Sequence, residues 1–314
     1  MAYKYKGKHF LMKVQAVADT PEIPDGSNAI KTMELEYSVY KGDTQTLDYD
    51  ENAQGAKPQI NVRPTDEFSF KASAFASGVL GVEPPLGVPL RGCGMNVTVD
   101  AGVSITYSTI DVTQSDTEFM TCYHLRGNMR YQCSDAMGDF GFELKSGTFA
   151  RFTFSNWQGK YIRPVVQAVA IVPSFTDWKD PLPSTKANTP VLTIGGWQGC
   201  VDQFTFGMGN NIVQHDRAGC AGVTITMRTP TAKMVIEAPD IATKNFFEEA
   251  ESHSGTINLY DVVFQHGIVA GSIIGGLVQD CQISGVNEVD LDGKLGLELD
   301  LIPTHVNPLI LTLT

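Results

Sequence analysis

His215 and Asp216 stand side by side in the Gly/Asn-rich stretch 209–222, the residue types of a general base and the carboxylate that orients it. Neighbours on a strand or turn point apart, and no nucleophile accompanies them, so a solvated turn is the simpler reading. Asp48, Asp50 and Glu51 offer the carboxylates of a glycosidase pair. That chemistry needs an apolar pocket to raise one carboxyl's pKa, and these three lie in a polar loop. The run VDLDGKLGLEL (289–299) has the outline of a calcium loop. With Gly293 at position six, position twelve is Leu299, which has no carboxylate, and the flanks alternate as strands do. Asp292-Gly293 therefore reads as a tight hairpin turn.

The six cysteines (Cys93, Cys122, Cys133, Cys200, Cys220, Cys281) form no CxxC pair and have no His at ligand spacing, which argues against a zinc site. They read as reduced, mostly buried thiols. Trp157, Trp178 and Trp197 could stack on sugars, but each neighbours Gly, Asp or Pro, and packing at a junction is the default. Asn96-Val97-Thr98 fits a glycosylation acceptor, which matters only in a secreted chain. The chain carries no GxSxG, GxxxxGK[ST], HExxH or helix-opening GxGxxG. No catalytic residue, cofactor or metal is expected, and the chain reads as a non-enzyme.

The 314 residues carry a net charge of −12, which disfavours a sequence-neutral grip on DNA phosphates. Bases and acids number 16 and 19 through residue 172 but 7 and 16 beyond it, so the excess sits in the second half. The N-terminal stretch is too short and polar for a signal-peptide core. The longest apolar run, GIVAGSIIGGLV (267–278), falls short of the roughly 20 residues of a membrane helix. The expectation is a chain without a membrane segment, made in the cytoplasm.

Period-2 alternation dominates and positions these residues. Leu35, Tyr37 and Val39 alternate with Glu34, Glu36 and Ser38; Leu295, Leu297, Leu299 and Leu301 alternate with Gly296, Glu298 and Asp300. Half-buried, mostly antiparallel strands follow. Helical spacing is clear once, from an Asp240 cap through Ala242, Phe246 and Ala250 to Gly255, with a shorter helix near Pro85–Leu90 that ends at Gly92. Four prolines in 173–190 mark a linker. It separates 1–172 from 191–314.

The two halves are alike. Residues 35–72 and 204–238 each give a strand, a polar excursion, a strand ending in Arg, a Pro/Thr turn and an alternating strand. Ile60 and Arg63 match Ile225 and Arg228 at a constant offset, and GTFARFTF (147–154) echoes GKLGLELD (293–300). Duplication accounts for this order, each copy supplying one sandwich.

Three stretches resemble the tail tube (major tail) proteins of long-tailed, siphovirus-like bacteriophages: GKHFLMKVQAVADTPEIPDGSNAI (7–30), AFASGVLGVEPPLGVPLRGCGMNVTVDAGVSITYS (74–108) and HLRGNMRYQCSDAMGDFGFELKSGTFARFTFSNWQGKY (124–161). Their order over most of the chain carries the resemblance. It implies a mainly β chain of two tandem tail-tube-type β-sandwich domains, 1–172 with an N-terminal arm and 191–314, each with a short flanking helix. It further implies a structural virion protein whose trimers form rings of six related domains, stacked into a β-lined tube. The partners implied are other copies of the chain, the tail terminator and tip proteins, the tape measure protein during assembly, and DNA that passes without specific binding. The place implied is the virion tail, after synthesis in the host bacterial cytoplasm.

An acidic wall would repel passing phosphates, so Glu34, Glu36, Glu298 and Asp300, on the polar faces of alternating strands, are the lumen-lining candidates. An outer surface or a subunit interface would serve the alternation equally well. The polar excursions, with Asp43, Asp48, Asp50, Glu51, Asn210, Asn211, His215 and Asp216, are the inter-ring candidates. The rival reading is a carbohydrate- or receptor-binding β-sandwich module of a phage tail tip or baseplate.

Overall fold

A computed structural model describes residues 7–50, 55–110, 118–251, 253 and 255–314. The alternating runs form strands. The first segment contains β1 (Lys8–Gln15), β2 (Ala29–Ile30), β3 (Met33–Thr46) and β4 (Gln59–Ser73). There follow helix α1 (Gly87–Gly92), the hairpin β5 (Met95–Asp100) and β6 (Ser104–Thr109), then β7 (Phe119–Arg126), β8 (Met129–Lys145) and β9 (Arg151–Val166). The Pro-rich stretch 173–190 holds no strand beyond an isolated bridge between Phe149 and Pro183. The second segment contains β10 (Val191–Ile194), β11 (Trp197–Gln198), β12 (Val201–Gly207), β13 (Asn210–Arg217), β14 (Cys220–Arg228) and β15 (Thr231–Glu237). Helix α2 (Phe246–Ala250), β16 (Leu259–His266), β17 (Ile274–Leu291), β18 (Lys294–Pro303) and β19 (Leu309–Leu313) complete it.

The strand pairings are antiparallel, and apart from the β13–β14 hairpin they form one connected network. In the first segment the hydrogen-bonded order is β2–β1–β7–β8–β9–β4–β3. In the second it is β11–β10–β16–β17–β18–β15–β12. The network crosses the Pro-rich stretch twice. The end of β8 pairs with β12, Glu143 opposite Thr205, and the C-terminal β19 pairs with β6, Leu311 opposite Tyr107.

One hydrophobic core serves both segments. The Phe142 ring stacks on Phe264 with centroids 4.9 Å apart, and Phe140 meets Phe206 at 6.4 Å. Phe142, Phe204 and Phe264 are buried, each stabilising the fold by about 2–3 kcal/mol through apolar burial. Trp157 closes the other end of this core with no exposed surface. It lies against Gly138, where a Cβ would fall 2.3 Å from its indole, so only glycine allows this approach of β8 to the ring.

Two local expectations are corrected, the turn at Pro64-Thr65 and the helix cap at Asp240. Pro64-Thr65 is not a turn: β4 runs through it, because β9 pairs with β4 only from Thr65 onward and the missing proline N–H leaves no donor orphaned. The second helix is five residues long and is capped by Asn245, whose side chain accepts from Glu248 N at 3.3 Å, while Asp240 closes a separate turn on Ala242 N. Trp157 lies within β9 and Trp178 is buried, donating from its indole to Ala29 O at 3.0 Å, so neither belongs to an exposed platform. Cys200 and Cys220 are exposed, whereas the other four thiols are buried and all six are free. The Asp292-Gly293 turn has the positive φ pair (52° and 85°) of a type I′ hairpin.

Candidate functional site

The β8–β12 junction makes eight strands continuous, in the order β3–β4–β9–β8–β12–β15–β18–β17. One face of this run is apolar and buried: Leu35, Phe68, Phe70, Phe142, Phe152, Phe204, Phe206, Met234, Ile236, Leu297 and Leu299 lie on it. Strand parity places the intervening polar residues on the opposite face. All four lumen candidates occur there. Glu34 and Glu36 are exposed on β3, at one end of the run; Glu298 and Asp300 are half-buried on β18, next to the other end.

The face is a lattice of cross-strand ion pairs rather than a bare acidic wall. Lys71 Nζ reaches Glu34 Oε2 at 2.5 Å, and this hydrogen bond holds the Glu34 carboxyl below the usual range. Arg151 pairs with Glu143 at 2.5 Å, and Gln203 Nε2 donates to the other Glu143 oxygen at 3.0 Å, so a side-chain chain bridges β9, β8 and β12 across the junction. Lys233 Nζ lies 2.8 Å from Glu298 and 3.3 Å from Asp300, chiefly the first of which raises its pKa. Asn287 Nδ2 also donates to Asp300 at 3.2 Å. Lys294 meets Glu237 at 2.9 Å. With the Lys41–Glu67 pair and Lys145 of the same face counted, seven carboxylates (Glu34, Glu36, Glu67, Glu143, Glu237, Glu298, Asp300) stand against six cations (Lys41, Lys71, Lys145, Arg151, Lys233, Lys294), so its charge is close to balanced.

The two excursions behave differently. In the first, the β3–β4 hairpin, Asp43 lies opposite Arg63 and bonds its guanidinium, and Asp48 lies 3.1 Å from Lys57 Nζ. Asp50 is exposed, and Glu51 lies outside the described residues. The second excursion is the β13–β14 hairpin, and it folds back over the first segment. Asn210 is buried rather than loop-exposed. Its amide N donates to Asp139 Oδ1 at 3.0 Å, and its Nδ2 donates to Cys93 O at 2.8 Å and Gly138 O at 3.0 Å. Asn211 is exposed, donating to Thr226 Oγ1 at 3.0 Å. His215 and Asp216 sit opposite Gly222 and Ala221, and of the two only Asp216 is fully exposed.

Buried titratable groups cluster elsewhere, inside the first segment. The Tyr37 hydroxyl donates to Asp66 Oδ2 at 2.8 Å, Tyr40 N donates to Oδ1 at 3.0 Å, and the Tyr37 ring lies 4.8 Å from that of His124. Burial pushes the Asp66 carboxyl up to about 6 and His124 down to about 3. Both Asp66 oxygens are taken up by β3 groups, so the cluster ties β3 to β4 and supports structure. Among the described residues no group of three His, Cys, Asp or Glu is placed to hold a metal ion. No helix among them is long and apolar enough to cross a membrane.

The strand alternation was enough to put Glu34, Glu36, Glu298 and Asp300 on polar faces. It could not supply Lys71, Glu143, Arg151, Gln203 and Lys233, because the partner of a face residue depends on which strands pair. No family model matches the chain, and no curated protein matches it.

Proposed function

We propose that this chain is a structural protein of a bacteriophage tail tube, assembling as trimeric rings that stack into the conduit for DNA. In this reading 1–172 and 191–314 are two copies of one β-sandwich unit joined by 173–190. The observation that carries it is the eight-strand run with one polar face and an open strand at each end. Among the described residues β3 has β4 as its only partner, and β17 beyond Ser284 has only β18. Open edges of this length are a hazard in a monomer and a joint in an assembly. A closed ring satisfies both edges by joining β3 of each copy to β17 of the next.

The matching strand orders support the pseudo-sixfold arrangement. Within the chain β8 meets β12, and between chains β17 would meet β3, the strand that holds the place of β12 in the first segment. Three copies, eight strands each, close a barrel whose circumference at about 4.8 Å per strand is about 115 Å, giving a bore of at least about 35 Å between backbones. A duplex passes such a bore, and a face on which Lys41, Lys71, Arg151, Lys233 and Lys294 are held in ion pairs has few cations left to hold its phosphates. The terminator, tip and tape measure proteins are the further partners of this reading.

Negative-stain microscopy with light scattering on purified protein tests it. Rings or hollow tubes built on a three-chain mass support it. A monomer at every concentration and salt overturns it, as does a ring with six chains in place of three.

A further inference from the structure

The junction inside the chain contains a docked hairpin, and its counterpart in the first segment is exposed. Ile212 and Val223 of β13–β14, with Ile225 alongside, pack on Met137 beside Phe119. Met137 lies opposite Gln158 of β9. The seat is therefore a row of one residue each from β7, β8 and β9.

The second segment carries the same row uncovered. Asp135 in β8 and Asp280 in β17 both take φ 50° at the bulge where β7 or β16 pairs, so Met137 and Gln282 each lie two residues past it. Gln282 is flanked in register by Leu259 of β16 and Ile302 of β18. Leu259 and Ile302 are 45% and 44% exposed. The tip of β4 bears Ile60 and Val62, two residues apart on one strand face and 51% and 47% exposed; the constant offset sets Ile60 against the packed Ile225, and Val62 against Met227.

We propose that the β3–β4 tip of a second copy of this chain lies across Leu259, Gln282 and Ile302, with Ile60 and Val62 on the two apolar residues. The proposal rests on the ring reading, because the β3 and β17 edges stand to one another between copies as β12 and β8 stand within one. The seat and the strand joint are then continuous, and four half-exposed apolar side chains leave water together. Exposed carboxylates of the first excursion are carried outside the contact.

Cysteine pairs test it in full-length protein from which the two exposed native thiols are removed by Cys200→Ser and Cys220→Ser. Val62→Cys with Ile302→Cys, and separately Ile60→Cys with Leu259→Cys, are oxidised with copper phenanthroline. Disulfide formation requires Cα atoms within about 7 Å. The expected result is a ladder of dimers and trimers on a non-reducing gel from at least one pair, absent from each single-cysteine variant and from Val62→Cys with Val269→Cys. Rings or tubes that form without a ladder from either pair overturn this contact and leave the tube reading standing. Parent protein that stays monomeric, with no ladder, overturns both.

Discussion

Arg228 lies directly opposite Asn210 across the β13–β14 hairpin and donates from Nε to its Oδ1 at 3.1 Å. The same guanidinium donates to Ile110 O and to Gly94 O, the latter at 3.2 Å. A hairpin of the second segment is thereby fastened to backbone carbonyls of the first. Arg63 and Asp43 face each other in the β3–β4 hairpin in the corresponding way, but that pair is solvent-exposed.

The two pairs should differ sharply on truncation. Asn210→Ala leaves the carbonyls of Cys93 and Gly138 without their donor in a buried setting, and a loss of about 2–4 kcal/mol is expected. Asp43→Ala removes an exposed ion pair, for which about 0–1 kcal/mol is expected. Urea unfolding of the unassembled protein measures both, and equal losses would contradict the burial of Asn210.

Asp66 and His124 should give opposite pH slopes. Asp66 keeps its proton up to about 6 when folded and releases it near 3.8 when unfolded, so its contribution falls as pH rises through that window. His124 stays neutral down to about 3 when folded but takes up a proton below 6.5 when unfolded, so its contribution falls as pH drops. Between about pH 4 and 6 the two largely cancel. Asp66→Asn should therefore make stability drop more steeply on acidification, and His124→Gln should make it rise, each by about 1–3 kcal/mol across the window. Melting temperatures at half-unit pH steps decide it; unchanged slopes in both variants would refute the assignment.

The shared core predicts one unfolding transition. Phe264→Ala removes a ring that touches both Phe142 and Phe204, at a cost of about 3–5 kcal/mol. Calorimetry of the unassembled protein should show a single peak shifted down in temperature. A second-segment peak that moves while a first-segment peak stays in place would show independent cores.

The polar face gives a prediction that rests on the proposed tube. Replacing Glu34, Glu36, Glu298 and Asp300 with Gln, Gln, Gln and Asn leaves Lys71 and Lys233 without those carboxylate partners. Assembled variant protein should retain duplex DNA at low salt and release it as salt rises, while the parent retains none. Equal behaviour of parent and variant would refute the proposal that these residues line a lumen.

Sequence alone determined the local character of this protein. Alternation such as Leu295 to Leu301 fixes which side chains share a face, because the strand period is two whatever the neighbours are, and Asp292-Gly293 fixes a hairpin because few residues accept positive φ twice in succession. Arg63 and Arg228, alike in spacing, both fall on strands that follow a polar excursion. Partner choice was decided only in three dimensions. That β8 takes β12, and β6 takes β19, depends on which edges remain open after the local hairpins form, and a period of two carries no such information. For the same reason Asn210 reads as loop in a Gly/Asn-rich stretch yet is buried, since its environment comes from Cys93 and Gly138, residues far away in the chain that the β8–β12 junction brings beneath it.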